Sequence, residues 1–304
     1  MTATQVLPVA SAGIIILFAL LVFRRYAQRG GLHLLLWGIG LALFGVGSLA
    51  EAYSAIGWHP AVFRLWYLGG AILNAAWLGQ GTVYLLAGQR LPNILAALLL
   101  GYTTAAVLFL GLERLLGWGA GFVAALIAFH GVIFTLAIYR RWARRWSGPR
   151  LAGVLTMFLV AGSLAAAYLI FAVPLNAAAF DAAQPLSAQY REILPTGALV
   201  RRLTPIFNIY GTFALVGGAL YSAWLLWRKE IMPNRVYGNI LIAAGALAIA
   251  FASTQLRLGL ADFLYVAELV AALLMFAGFL LATTRVPASA AAASPAAVGV
   301  ESSS

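Results

Sequence analysis

The sequence predicts an all-α integral membrane protein: a bundle of about nine transmembrane helices, N-terminus outside and C-terminus cytoplasmic. Three observations predict it. Charged residues make up only 9% of the 304 residues, against roughly 25% in a soluble domain. So little charge cannot coat a globular surface, but it suffices for a bundle whose outside is lipid. Second, apolar runs reach the roughly 20 residues that cross a bilayer. Third, the basic residues lie between those runs or at their ends and alternate in density from gap to gap.

Nine stretches have the required length: 5–23, 33–54, 63–87, 94–112, 120–139, 151–175, 203–227, 236–256 and 261–284. The first has no Lys or Arg before it and Arg24 and Arg25 after it, the charge order of an N-outside anchor rather than of a cleaved signal peptide. Alternating from there puts 13 of the 19 basic residues on inside segments and 6 on outside ones, as the positive-inside rule requires. Tryptophan supports the same frame. Trp58, Trp66 and Trp118 fall near outer ends, Trp37, Trp142, Trp146, Trp224 and Trp227 near inner ends, and Trp77 alone lies deep. Indoles favour the headgroup zones.

After the first span, the chain reads as four helical hairpins. Residues 1–285 form the bundle and 286–304 an Ala-, Ser- and Pro-rich cytoplasmic tail too poor in large apolar residues to fold, hence disordered. The longest loop, 176–202, lies outside. Between Pro185 and Pro195, residues Ser187 to Leu194 are expected to form a short interfacial helix.

Ionisable and polar groups inside a bilayer are costly and mark candidate sites. Glu51 sits in the outer third of the second span, on a face with Gly47, Phe44 and Gly40. Glu268 lies about two turns into the last span, roughly 10 Å deep, on a face with Tyr265, Ala271 and Ala272. Arg201, Thr204, Asn208 and Thr212 make a polar stripe beside Pro205 and Gly211. Asn74 and Gln80 lie near the middle of the third span, and Arg257 closes the outer end of the eighth. The candidate ligand-binding residues are therefore Glu51, Asn74, Asn208, Arg257 and Glu268, with His130 in the fifth span a candidate proton relay. For each, the alternative is a structural hydrogen bond between helices.

Several chemistries are excluded. There is no Cys, so no disulfide, thiolate metal site or thiol nucleophile. Three scattered histidines match no metal-ligand spacing. No P-loop, dinucleotide fingerprint, HExxH or GxSxG occurs. The single Lys, Lys229, is cytoplasmic, so no span offers a Schiff-base lysine. No cofactor and no catalytic set is expected. The net charge of +11 reflects topology rather than nucleic-acid binding.

One stretch resembles a known family. From Trp37 through Glu51 to Arg64, Trp66, Tyr67 and Gly69, a helix ends near an acidic residue and a short turn leads into a basic-x-Trp-Tyr-Leu-Gly helix start. This is similar to the second and third helices of the seven-helix sensor regions of some bacterial histidine kinases. The resemblance covers about residues 37–85 and implies a membrane-embedded signal-input module. The sequence departs from it in having nine expected spans and no kinase or other output domain after them.

The leading functional expectation is a plasma-membrane protein of bacterial type. It binds or transports a small solute through an outer-half polar cavity lined by Glu51, Asn208 and Glu268 and partly covered by the 176–202 loop. Two carboxylates favour cations, amines or protons. The alternative is a signal-input or partner subunit that works with a membrane or cytoplasmic protein. A membrane enzyme acting on a lipid-soluble substrate ranks third, because no two candidate acids or bases have a spacing that enforces proximity. Beyond these, the lipid bilayer is the one partner the composition demands.

Overall fold

The computed structural model describes residues 3–87, 148–257 and 264–284. The expected spans 94–112 and 120–139, with His130, and the expected tail lie outside the described residues. Seven helices long and apolar enough to cross a membrane are present among those described, and no strand accompanies them. They are α1 (Ala3–Arg29), α2 (Leu32–Ser54), α3 (Pro60–Leu85), α4 (Gly148–Ala172), α6 (Val200–Arg228), α7 (Pro233–Arg257) and α8 (Leu264–Thr283), with a short α5 (Leu186–Ile193) between α4 and α6. In lipid every backbone group needs an internal partner, which a continuous helix supplies.

The breaks have local causes. Gly30 and Gly31 both take positive φ, at 66° and 97°, and reverse the chain between α1 and α2; a side chain there would be strained. His59 Nδ1 accepts from the Ala61 N–H at 3.3 Å, and Pro60 takes the first position of α3, where a missing donor costs nothing. Pro233 opens α7 in the same way.

Two spans are not uniform α-helices. In α3, Trp66–Leu73 is wound as a π-helix, and in α6 so is Phe213–Gly217. Such insertions loosen the ladder and re-aim side chains.

Six helices close a ring: α1 packs on α2, α2 on α3, α3 on α6, α6 on α7, α7 on α8, and α8 back on α1. The α4 helix packs outside, against α3 and α6. Small residues set the seams. A Cβ on Gly47 would lie 2.5 Å from the Gly70 Cα, and a Cβ on Gly278 would lie 2.6 Å from the Gly238 carbonyl oxygen. On Gly211 it would strike the Ala75 carbonyl carbon. Absent side chains let these backbones touch and gain dispersion contact that lipid cannot supply.

The two ends of the ring differ. At one end α5 forms a roof. Leu186, Ile193 and Leu194 are fully buried in one apolar cluster with Phe63, Trp66, Tyr67 and Ile170. The loop before α5 is tied together by Gln189, whose side chain accepts the Asp181 N–H and donates to the carbonyls of Asp181 and Gln184, each at 2.8 Å. At the other end Phe18, Val22, Leu41, Leu78, Leu215, Met275 and Phe279 form a continuous apolar floor.

Candidate functional site

Between roof and floor the ring lines a partly open cavity of about 700 Å³, within the range of small-molecule sites. Its wall comes from α2, α3, α6, α7 and α8, and its cover from the α5 segment. Of the residues singled out in the sequence, Glu51, Asn74, Asn208 and Glu268 line it, together with Thr204 and Thr212. The structure thus gathers residues from four separate spans around one space. The Arg257 side chain, like His130, lies outside what the structure describes.

The polar groups have different duties. Glu51 is 4% exposed. Its Oε1 accepts the Leu186 N–H at 2.9 Å and the Tyr265 hydroxyl at 2.8 Å. Leu186 is the first residue of α5, so Glu51 satisfies one of the free N–H groups that every helix start exposes. A carboxylate there also complements the helix dipole. One side chain thereby links α2, the roof and α8.

Glu268 has no hydrogen-bond partner among the described residues and faces the cavity. Glu51 and Glu268 line the same cavity. The Ser48 hydroxyl is likewise buried with no partner, and Ser48 lines the same wall one helical turn from Glu51.

The two asparagines brace the π-wound part of α3. Asn208 Nδ2 donates to the Ala71 carbonyl at 2.8 Å, and Asn74 Oδ1 accepts the Ala75 N–H at 2.6 Å. An uninterrupted α-helix joins the Ala75 N–H to the Ala71 carbonyl; here each group has a side-chain partner. The remaining amide atoms, Asn74 Nδ2 and Asn208 Oδ1, have no partner among the described residues and offer one donor and one acceptor at the wall.

Aromatic rings form the side of the cavity under the roof. Trp66, Tyr67 and Tyr190 are mutual neighbours, with centroids 5.9 to 6.4 Å apart, and Tyr67 is anchored by a 3.0 Å hydrogen bond with Thr204. Arg191 stands at the rim. Its Nε donates to the Tyr190 hydroxyl at 3.3 Å, which raises the guanidinium pKa further above its ordinary value and keeps the charge in place.

Leu78, Leu215 and Met275 line both this cavity and a second, apolar one of about 50 Å³ beneath it. These three side chains are the partition in the floor. A separate polar network, Tyr210 to Gln80 Oε1 and Gln80 Nε2 to Thr156 and the Ala152 carbonyl, ties α3, α4 and α6 behind the wall. Gln80 is therefore a helix-contact residue.

Sequence reasoning missed Ser48 and the aromatic side of the cavity. Ser48 lies three residues from Glu51, so its place on that face was available from helical periodicity. Trp66 and Tyr190 come from segments more than 100 residues apart, and nothing local brings them together. Comparison with known proteins finds no matching family model, and no curated protein or solved structure matches the chain significantly.

Proposed function

We propose that this protein binds a small organic solute in the ring cavity and carries it across a bacterial-type plasma membrane. The carrying observation is the Glu268 carboxyl group, without a hydrogen-bond partner among the described residues, at the wall of a roofed cavity of about 700 Å³. An ionisable side chain held at membrane depth without a partner is costly, and a ligand that supplies the partner offsets that cost. In this reading the bundle has nine spans, the N-terminus outside and the tail inside. The positive-inside asymmetry supports that orientation, and the α5 roof then faces outward. The partition of Leu78, Leu215 and Met275 is the closed inner side of an outward-facing state. Ligand-dependent thermal stabilisation of the purified protein, followed by uptake in proteoliposomes, tests it. Stabilisation and uptake that are lost in Glu268→Gln are expected. A solute that is bound but never moved would remove the transport part.

The second reading is a signal-input module, favoured by that same closed floor and by the resemblance of residues 37–85 to kinase sensor regions. It shares the binding site and differs in the output. Ligand-dependent capture of a membrane or cytoplasmic partner, with no solute flux, would select it.

A further inference from the structure

The wall of the cavity carries more information about its ligand than its volume does. Glu51 and Tyr265 are hydrogen-bonded. Phe44 and Ala272 share one apolar cluster with Ile15. Moving from Glu51 to Phe44 descends α2 by seven residues, and moving from Tyr265 to Ala272 descends α8 by seven in the opposite chain direction. The two helices are thus antiparallel and in step. Three residues along each from the Glu51–Tyr265 bond come Ser48 and Glu268.

Both line the cavity. Ser48 is 4% exposed, and its hydroxyl has no partner. It therefore does not bond to Glu268, which also has none among the described residues. The Ser48 Oγ has no accessible surface, so Glu268 is the group of the two that a ligand in the cavity can reach. Glu51, the other carboxylate, is already engaged by the Leu186 N–H and the Tyr265 hydroxyl. Among the described residues, the wall therefore offers one carboxyl group without a hydrogen-bond partner, Glu268.

We propose that the ligand is a monocationic primary or secondary amine whose N–H groups donate to Glu268, with an apolar or aromatic body beside Trp66, Tyr67 and Tyr190. This rests on the solute-binding reading. Each element of the class has a cause. A carboxylate oxygen accepts N–H donors, which a quaternary ammonium lacks. A single free carboxylate matches a single charge, and a second ligand charge would be left desolvated without a counter-ion. Three neighbouring aromatic rings at 5.9 to 6.4 Å suit an aromatic or alkyl body, with extra attraction for a nearby cation. The Asn74 and Asn208 amides then serve any polar substituent on that body.

The test uses four probes of nearly one shape on the full-length protein in nanodiscs at neutral pH: 2-phenylethylamine, its N,N,N-trimethyl derivative, 2-phenylethanol, and zwitterionic phenylalanine. Affinities are read by calorimetry or thermal shift. The amine is expected to bind at least about tenfold tighter than the alcohol and the quaternary derivative. Glu268→Gln should reduce amine affinity by about tenfold or more. Alcohol binding by that variant within about twofold of wild type shows that the cavity is intact. An alcohol or quaternary derivative that binds as well as the amine would overturn the amine class and leave the solute-binding reading standing. Tighter binding of phenylalanine would do the same and assign a carboxylate to rim Arg191. Binding by none of the four would sink both readings.

Discussion

The Tyr265 hydroxyl and the backbone N–H of Leu186 converge on one oxygen of Glu51, at 2.8 and 2.9 Å, from residues 214 and 135 positions away in the chain. The roof over the cavity is thus fastened by a buried carboxylate. Replacing Glu51 by Leu leaves that N–H and that hydroxyl without their acceptor, at about 1–3 kcal/mol each. Glu51→Gln keeps an oxygen at the same place. We expect Glu51→Leu to lower thermal stability and to open residues 173–199 to limited proteolysis, with Glu51→Gln close to wild type. Equal protease resistance in all three would show that Glu51 does not hold the roof.

The seam between α3 and α6 depends on a missing side chain at Gly211, whose Cβ would meet the Ala75 carbonyl carbon. Because the obstacle is backbone, Gly211→Ala should destabilise by about 1–3 kcal/mol. Gly13 has nothing within 4 Å of a built Cβ. Gly13→Ala should be neutral, or stabilising by up to about 1 kcal/mol. Detergent unfolding midpoints of the two variants compare the sites directly, and the reverse order would contradict the packing.

Arg64 closes the roof end of α4. Its Nε and Nη2 donate to the carbonyls of Ile170 and Val173, both at 3.1 Å, and its guanidinium lies 5.8 Å from the Phe171 ring centroid. A cation at a helix C-terminus also complements the dipole. Arg64→Met should cost about 1–3 kcal/mol. Arg64→Lys should recover only part of it, because an ammonium lacks the two-pronged fork. Full rescue by Lys would reduce the interaction to charge alone.

Orientation is testable because the chain has no native Cys. Ala183 is exposed on the roof loop, and Lys229 is exposed in the turn between α6 and α7. An impermeant thiol reagent applied to intact cells should label Ala183→Cys and spare Lys229→Cys. The opposite pattern would invert the bundle.

Glycine spacing and the cost of charge in lipid made much of this molecule readable in advance. The seven described spans and the roof helix stand within a few residues of their expected places. That follows because hydrophobic length and flanking charge are local properties that the bilayer reads directly. Glu51, Asn74, Asn208 and Glu268 drew attention for the same reason: polar groups on otherwise apolar helices are conspicuous.

What each of them does was decided only by tertiary contact. Glu51 and Glu268 look alike in sequence. One is engaged by the roof and α8, while the other is left facing the cavity, because α5 returns over α2 and not over α8. The asparagines brace a π-wound segment whose extra residue no periodicity announces, and the Tyr265–Glu51 hydrogen bond exists only once the ring of helices has closed. Local sequence determines which segments enter the membrane, since transfer from water to lipid acts on each helix by itself. The partners of their polar groups depend on how the helices associate, and that is a property of the whole bundle.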